Sequence, residues 1–438
     1  MQTAASAPLS RNIRRISHLD LPGGGQVYVS GNYAYVGHIQ NAAGHGTTIV
    51  DIADPKHPKV VCSLKVDDPE SHSHKARVIG DVMIINVEQN GTTMGRRAEQ
   101  LPKILAQLQQ SLSRDPTDAE LAQGLKVDVG DLPQLREMFK CGYVNGGFKV
   151  YDVSDRTAPK LLTHQKTGGI GVHRFDMDAN YAYISTSMAG YVGNILVIYD
   201  IRDPRRPAEV SRWWLPGQHV AGGETPTWEG RNNRLHHALR RGDYMWAAVW
   251  HGGMRVVDVT DITRPRTVGA YNYHPPFPDP THTFMPLEAP INGRNIAVTV
   301  DEEERFYSVE LSDERRGRGH ACVSVFDVTD FSDIKPLSMY QVSELDSPWS
   351  RTPGGRFGAH QYHEHVDGTL IYATWFSGGL RIIDLANPSA PLEVGYYIPE
   401  PVSGQKLPQS NDVCLDHRGL ICLMDRYCGF DILEFSRH

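Results

Sequence analysis

The sequence is poor in cysteine, in basic clusters and in long apolar runs. Six cysteines occur in 438 residues and none forms a CxxC pair, which excludes a disulfide framework and a zinc knuckle. Lysine and arginine number 44 against 51 aspartates and glutamates, a net charge of −7, and no basic block is interleaved with aromatics, so no nucleic-acid partner is expected. No 18 apolar residues run together and the N-terminus lacks an apolar core, which predicts a soluble, cytoplasmic protein without a membrane partner.

Several common catalytic motifs are also absent. The chain has no GxSxG elbow, no Walker phosphate-binding loop and no HExxH pair. A Ser-His-Asp hydrolase is therefore not indicated by the sequence.

What the sequence does contain is a repeated unit. An apolar triplet, an aspartate and a turn rich in Asp, Asn and Pro recur, as in TIVDIADP, RVVDVTD and RIIDLANP. The marking aspartates are Asp51, Asp152, Asp200, Asp258, Asp327, Asp384 and Asp431. The two shortest intervals between them are 48 and 47 residues, close to the length of a four-stranded propeller blade. β-Branched and aromatic runs bounded by Gly, Pro and Asp favour strands throughout.

These seven units predict an all-β fold, a single seven-bladed β-propeller over residues 1–438. The last unit stops after its third strand, and the segment 11–21 is predicted to complete that blade and close the ring. A long connection in the second unit interrupts the pattern. Because Leu101, Ile104, Leu105 and Leu108 have helical spacing, residues 92–142 are predicted to form a helical insertion that acts as a lid.

The triplets TIVDI, RVVDV and RIIDL resemble those of LVIVD-repeat proteins. This resemblance implies a propeller and no particular activity. At the level of the fold, the predicted arrangement is also similar to selenium-binding-type proteins and carotenoid-cleavage oxygenases, which are propellers with histidines at the axis. The carotenoid-cleavage enzymes hold iron with four of them, which favours a metal here by analogy only.

Histidines recur at one level of the repeat. The innermost strand of a blade, here strand A, lines the central channel with one face. His74, His173 and His236 stand six residues before the turn that ends strand A, and His72 and His360 stand eight before it. Both offsets are even, so a period of two residues directs all five side chains to the same side.

Other residues at this level behave differently in the count. His237 and His363 lie at odd offsets and are predicted to point the other way, as packing residues. His282 opens the fifth unit in the same way, but a longer loop leaves its parity open. Gln26 and Asn411 occupy this level in the first and seventh units, where they could form hydrogen bonds with a substrate.

Converging neutral imidazoles are the commonest ligands for Fe, Cu, Zn or Mn through nitrogen. The predicted ligands of one transition-metal ion, whose identity the sequence leaves open, are His74, His173, His236, His282 and His360, with His72 as an additional candidate. The alternative is a structural ring of histidines that form hydrogen bonds with one another and with channel water.

The long loops lie at the face where strand A begins, which favours a ligand there. Candidate catalytic residues near that face are Glu302, Glu303, His251 and Arg240. The favoured function is a metal-dependent enzyme acting on a small organic molecule, with oxidoreductase or oxygenase chemistry slightly preferred. The alternatives are a metal-dependent hydrolase, lactonase or lyase on the same site, and a propeller that binds another protein without catalysis.

Overall fold

The computed structural model describes residues 9–21, 23–39, 44–228, 232–304, 319–402 and 404–437. The strands before the helices are β1 (Leu9–Arg11), β2 (Ile13–Leu19), β3 (Gly24–Ser30), β4 (Tyr33–His38), β5 (His45–Asp51), β6 (Lys59–Lys65), β7 (Ser71–His72), β8 (Ala76–Ile79) and β9 (Val82–Gln89). The helices that follow are α1 (Met94–Ala98), α2 (Leu101–Leu112), α3 (Asp118–Leu125) and α4 (Leu132–Cys141).

The remaining strands follow the helices along the chain. They are β10 (Gly147–Asp152), β11 (Lys160–Lys166), β12 (Gly168–Met177), β13 (Tyr181–Ser187), β14 (Asn194–Asp200), β15 (Ala208–Trp213), β16 (Asn233–Arg241), β17 (Tyr244–Trp250), β18 (Met254–Asp258), β19 (Arg266–Tyr271), β20 (Thr281–Pro286), β21 (Ile296–Asp301), β22 (Val323–Asp327), β23 (Lys335–Tyr340), β24 (Ala359–Tyr362), β25 (Leu370–Trp375), β26 (Gly379–Asp384), β27 (Leu392–Ile398), β28 (Ser410–Leu415), β29 (Ile421–Asp425) and β30 (Gly429–Phe435).

The strands pair in antiparallel ladders that follow chain order. Examples are β3-β4-β5-β6 and β12-β13-β14-β15. A nine-stranded and an eight-stranded sheet each join two such ladders through a single residue pair, Gly171 with Glu88 in one and Trp250 with Thr281 in the other. The ladders are therefore nearly separate units, each with its own apolar core against its neighbours.

The strands at the inner ends of the ladders contact one another in a closed circle. β3 contacts β8, β8 pairs with its neighbour β9, which contacts β12, and the contacts continue through β16, β20, β24 and β28 back to β3. The circle is completed at the outer edge by β2, which pairs with β30 from Ile13 opposite Phe435 to Leu19 opposite Phe430. The fold is therefore all-β and propeller-like, with the pairing between 11–21 and the last unit that the sequence predicts.

The helices lie between β9 and β10, which pair directly with each other in the sheet. They pack around their own small core, which contains Ala98, Leu121, Leu125 and Leu135. The chain thus leaves the sheet after β9, builds this helical unit and returns to the adjacent strand. No helix in the described ranges is long and apolar enough to span a bilayer.

Candidate metal centre

The inner strands carry a local irregularity at the level of the histidines. In β12 the pairing with β13 steps from Val172 to Arg174, and in β24 the pairing with β25 steps from Ala359 to Gln361. The same step occurs in β20 between Thr281 and Thr283. A β-bulge leaves one residue unpaired and redirects its side chain. The residues skipped in these three strands are His173, His282 and His360.

The bulges bring six imidazole rings into one continuous arc. Successive ring centroids are 4.2 to 5.1 Å apart along the order His72, His74, His173, His236, His282 and His360. All six histidines that the sequence singles out as candidate ligands therefore lie together. The side chains of His236 and His282 are fully buried and that of His74 is nearly so.

A glycine in the first unit, Gly37, allows the backbone of His74 to pack closely against strand β4. A Cβ atom at Gly37 would lie 2.2 Å from the carbonyl carbon of His74, so only glycine fits there. The adjacent chain is fixed by a hydrogen bond from the Gln26 amide to the His74 carbonyl (2.9 Å).

Hydrogen bonds fix the protonation of the two central rings. His173 Nδ1 donates to the Glu88 carboxylate at 2.9 Å, and His236 Nδ1 donates to the His282 carbonyl oxygen at 2.7 Å. Both partners can only accept, so the neutral rings carry their proton on Nδ1 and leave Nε2 bare. These two bare Nε2 atoms face each other at 2.9 Å.

His360 has the same arrangement at the far end of the arc, whereas His282 differs. His360 Nδ1 donates to the Asn411 carbonyl at 2.5 Å, which leaves its Nε2 bare at 3.7 Å from Glu302 Oε1. His282 also carries its proton on Nδ1, which donates to Thr283 Oγ1, but its Nε2 accepts from the Arg174 guanidinium at 2.7 Å. The lone pair of His282 is therefore already occupied.

At the other end of the arc, Asn86 sets the orientation of His74. Asn86 Oδ1 accepts from the Lys75 amide, so its Nδ2 donates, to His74 Nδ1 (3.0 Å) and to the Val172 carbonyl. The proton of neutral His74 is consequently on Nε2, a buried atom without a hydrogen-bond partner. His72 Nε2 donates to Glu88 (3.1 Å), which leaves His72 Nδ1 bare and also unpartnered.

Two carboxylates hold the ends of the arc. One ligand atom from each of His72, His74 and Glu88 lies within 4.8 Å of the others, and the same is true of His236, His282 and Glu302. Burial alone would raise the pKa of both carboxyls. Hydrogen bonds from His173 and His72 instead hold the pKa of Glu88 well below its ordinary value, and the guanidinium groups of Arg356, Arg426 and Arg174 hold the pKa of Glu302 below its ordinary value. Both groups are ionised at neutral pH.

The imidazoles are neutral in the same environment. Burial lowers the pKa of His173. It lowers the pKa of four other rings of the arc well below the ordinary value, those of His74, His236, His282 and His360. Neutral imidazole nitrogen is the form that coordinates metals.

A cavity of about 570 Å³ opens onto the arc. We call it the histidine cavity; its titratable lining residues are His72, His74, His173, His360, Glu88, Glu302, Arg96, Arg174, Arg234, Arg356 and Arg426. Five arginines thus face two carboxylates around the histidines. Small molecules can reach the arc from this side.

Of the four candidate catalytic residues, Glu302 lies in this cavity and the other three do not line it. Glu303 accepts from His320 Nδ1 at 3.1 Å, so it faces a neighbouring loop. His251 lies 3.3 Å from the Pro278 carbonyl, and Arg240 donates to the Tyr183 hydroxyl at 2.8 Å near the outer end of β16.

The two residues at odd offsets lie away from the arc. His237 Nε2 is 3.1 Å from Lys75 Nζ, and His363 lines a second cavity. Of the two amides at this level, Asn411 lines the histidine cavity and Gln26 lines the second cavity. Gln26 thus does not line the histidine cavity.

Sequence reasoning missed Glu88 and the arginines. Glu88 is next to the last residue of β9, near the level at which Glu302 follows β21, and this shared position at the end of strand B is a signal that could have revealed it. Arg174 directly follows His173, while Arg234 precedes His236 by two residues. Arg426 follows β29 and has no comparable marker in the sequence.

Comparisons with known proteins bear on the repeats and on the fold. The LVIVD repeat matches residues 24–66, 241–273 and 365–398. No curated protein sequence matches the chain. A chain in the crystal structure of the mitotic checkpoint complex aligns with 100% of this chain and 97% of its own length at 10% identity and a TM-score of 0.54.

A second solved structure, that of streptogramin B lyase, aligns over 97% of both chains at 10% identity and a TM-score of 0.47. The analogy with selenium-binding-type proteins and carotenoid-cleavage oxygenases receives no support from these matches. At this level of identity the likeness to the checkpoint chain concerns the fold alone. The chain carries LVIVD repeats on a propeller-like fold.

Proposed function

We propose that the protein is a metal-dependent enzyme acting on a small organic molecule, in which the Nε2 atoms of His173 and His236 and a third nitrogen of the histidine arc hold one transition-metal ion. The observation that carries this proposal is the 2.9 Å approach of two bare nitrogens, His173 Nε2 and His236 Nε2. Each ring has already used its Nδ1 proton on an acceptor, so two lone pairs face each other.

Such a contact needs a cation between or beside the two atoms. A proton is disfavoured because the pKa of both rings is lowered by burial. Two nitrogen ligands at about 2.1 Å from one metal ion, at right angles, lie about 3 Å apart, which agrees with the observed spacing. The hydrogen bonds that the two rings donate from Nδ1 also agree with metal binding. Metal-bound histidines usually donate their other ring proton to a carboxylate or carbonyl.

The remaining histidines have supporting roles in this proposal. His282 Nε2 is occupied by Arg174, and His74 presents an N–H group, so neither offers a lone pair to an ion as they stand. The ionised Glu88 and Glu302 compensate the charge of a divalent ion. Nitrogen ligands of this kind suit Fe, Cu, Zn or Mn.

Oxidoreductase or oxygenase chemistry is the favoured class. A redox-active ion would supply electron transfer to or from substrate or dioxygen when bound. The protein would bind the substrate in the histidine cavity and exclude bulk water. A carboxyl with a pKa of about 2, such as Glu302, is a poor general base at neutral pH, which weakens a hydrolytic function that relies on it.

A metal-dependent hydrolase, lactonase or lyase is the second candidate. His72 Nδ1 is a bare, buried acceptor at the edge of the same cavity, and such an atom could accept a proton from a water or substrate. Oxygen uptake separates the two classes, because only the first consumes dioxygen during turnover.

We also propose that the ladders are seven four-stranded blades, with β2 completing the last one, and that α1 to α4 form a lid. Each of β3, β8, β12, β16, β20, β24 and β28 stands at the inner end of one such ladder. Arg96 of α1 lines the histidine cavity, which supports the lid.

Elemental analysis of the purified protein tests the function. We expect about one transition-metal ion per chain, and loss of most of it in both His173→Ala and His236→Ala, because each removes a nitrogen from a three-nitrogen site. The matched control is His363→Ala, a half-buried histidine that lines the second cavity, and this variant should retain the ion. Stoichiometric metal in both His173→Ala and His236→Ala would refute the assignment, and a metal-free wild-type protein would favour the non-catalytic, protein-binding alternative.

A further inference from the structure

The histidine cavity has more positive charge than its own carboxylates compensate. Arg356 is paired with Glu302, at 3.0 Å from Nη1 to Oε1. Glu88 is occupied by His72 and His173. Arg174, Arg234 and Arg426 form no ion pair within the part of the chain that the structure describes.

Two of these arginines have polar atoms that no group among the described residues satisfies. Arg174 is 3% exposed, and its Nε and Nη1 atoms have no hydrogen-bond partner. Arg234 Nε is likewise buried without a partner, and its guanidinium lies 4.5 Å from the centroid of Trp250. Buried donors and charges without partners cost free energy, so groups of this kind point to an absent acceptor.

Two guanidinium groups also share one aromatic ring. Arg356 and Arg426 lie 3.9 and 5.2 Å from the centroid of Phe376. Like charges this close repel unless an anion lies between them. Burial, reinforced by Arg356, lowers the pKa of Arg426 to about 9, although Glu302 acts in the opposite direction.

We propose that the histidine cavity binds a small organic anion through carboxylate groups, with Arg174, Arg234 and Arg426 as its cationic partners. The inference rests on the proposed function, because it makes this anion the substrate of the same site. Planar guanidinium forks match the carboxylate geometry and hold it in one orientation. A carboxylate held there would bring the rest of the molecule next to the histidine arc.

A carboxylate is favoured over phosphate. Phosphate sites commonly use backbone N–H groups at a helix N-terminus. The helix beside this cavity is α1, and in its first turn the Gly95 amide already donates to Glu70 Oε2 at 2.9 Å. The donors that remain are side-chain guanidinium groups.

Calorimetric titration with succinate as the probe tests the inference, with the neutral isostere succinamide and inorganic phosphate as comparison ligands. We expect succinate to bind at least tenfold more tightly than either comparison ligand. Arg426→Gln should weaken succinate binding at least tenfold. The matched control is Arg255→Gln, because Arg255 is a largely buried arginine bonded only to carbonyl oxygens and does not line the cavity. Its succinate affinity should stay within twofold of wild type.

Three results would overturn the inference: no succinate binding, equal binding of succinamide, or undiminished affinity in Arg426→Gln. Tighter binding of phosphate would overturn the choice of carboxylate. Metal content measured on the same samples separates this inference from the proposed function. Arginine-dependent succinate binding by a metal-free protein would refute the metal site and support the anion site, whereas a metal-loaded protein that ignores succinate would refute the anion site alone.

Discussion

The two ends of the central channel are built from the same strands but differ in how their charges are balanced. At one end lies the histidine cavity. At the other lies the second cavity, about 860 Å³, which is lined by Lys75, Arg77, Arg241, Glu364 and Asp412 among others. Lys75 directly follows His74 in the chain, and the two residues line different cavities.

Charges at the second cavity compensate one another. Lys75 Nζ is 3.1 Å from Glu364 Oε1, Arg77 Nε is 3.3 Å from Asp176 Oδ1, and a second nitrogen of Arg77 contacts Glu364. Asp412 accepts from the Val27 amide at 2.9 Å. A network of this kind fixes how inner strands pack. At the histidine cavity, in contrast, Arg174, Arg234 and Arg426 have no ion pair among the described residues, and charges of this kind are costly unless a ligand compensates them.

The largest expected effect is a loss of stability caused by a variant at the second cavity. Glu364→Gln leaves Lys75 and Arg77 buried beside a neutral amide, and loss of one partner from a buried charge network costs about 3–5 kcal/mol. We therefore expect the free energy of unfolding to fall by about that amount in urea titrations, without loss of metal from the folded protein.

Glu302→Gln is the counterpart of this variant at the histidine cavity. It removes the carboxylate that lies near His282 and His360 and pairs with Arg356, so metal content should fall in this variant and not in Glu364→Gln. If both variants lost metal equally, or if Glu364→Gln were as stable as wild type, the division of roles between the two ends would be wrong.

The second prediction concerns the helical unit, which lies at one end only. Replacing residues 92–142 with a short Gly-Ser linker should leave the propeller folded, because β9 and β10 are already paired and the helices have a separate core. We expect a melting temperature within a few degrees of wild type, and succinate affinity reduced severalfold by loss of Arg96 and of the cover. A variant that fails to fold would show that the helices belong to the core, and unchanged affinity would refute a lid.

Much of the fold could be predicted because it repeats. Six of the seven aspartates that mark the units cap the following turn in the same way: for example, Asp51 Oδ1 accepts from the Ala53 amide and Asp258 Oδ1 from the Thr260 amide. A repeated local solution is visible in a single sequence. The lengths of the connections were visible too, but the packing of the helical unit around Ala98 and Leu135 depends on contacts between distant residues and left no periodic trace.

The candidate site could be predicted in its histidines but not in its electrostatics. Counting by twos assumes a regular strand, whereas His173, His282 and His360 each sit at a bulge. The parity argument grouped the right rings because the bulge recurs at the same level. Glu88 and Arg426 come from other strands and loops, and only the folded arrangement brings them to the arc.

The third prediction compares the loss of one arginine at each cavity, and the two variants are expected to change the free energy of unfolding in opposite directions. Arg234→Met removes a buried charge that lacks an ion pair and keeps an apolar side chain against Trp250, so the free energy of unfolding should not fall and should rise by up to about 1 kcal/mol. Arg77→Met, the matched variant at the second cavity, should be destabilised by several kcal/mol. Thermal melts in buffer free of organic anions measure both. A large loss of stability in Arg234→Met would mean that the protein itself compensates this charge.

The smallest expected effect is that of a variant in the closing strand β2. This variant lies outside both cavities and serves as the reference for changes within them. His18 Nδ1 in β2 donates to Asp431 Oδ1 of β30 at 2.9 Å, and this hydrogen bond raises the pKa of His18 despite its partial burial. The folded state therefore binds the proton more tightly than the unfolded chain. The resulting stability is fully present below the unfolded pKa of about 6.5 and is lost as the pH rises through the raised pKa of the folded state.

Since the pair is partly exposed, His18→Gln should lower the free energy of unfolding by only a few tenths of a kcal/mol near pH 5.5, and the difference from wild type should vanish in alkaline buffer. Urea titrations of both proteins across this range measure it, with metal content and succinate affinity expected to stay at wild-type values; a difference that grows with pH would contradict the assigned proton.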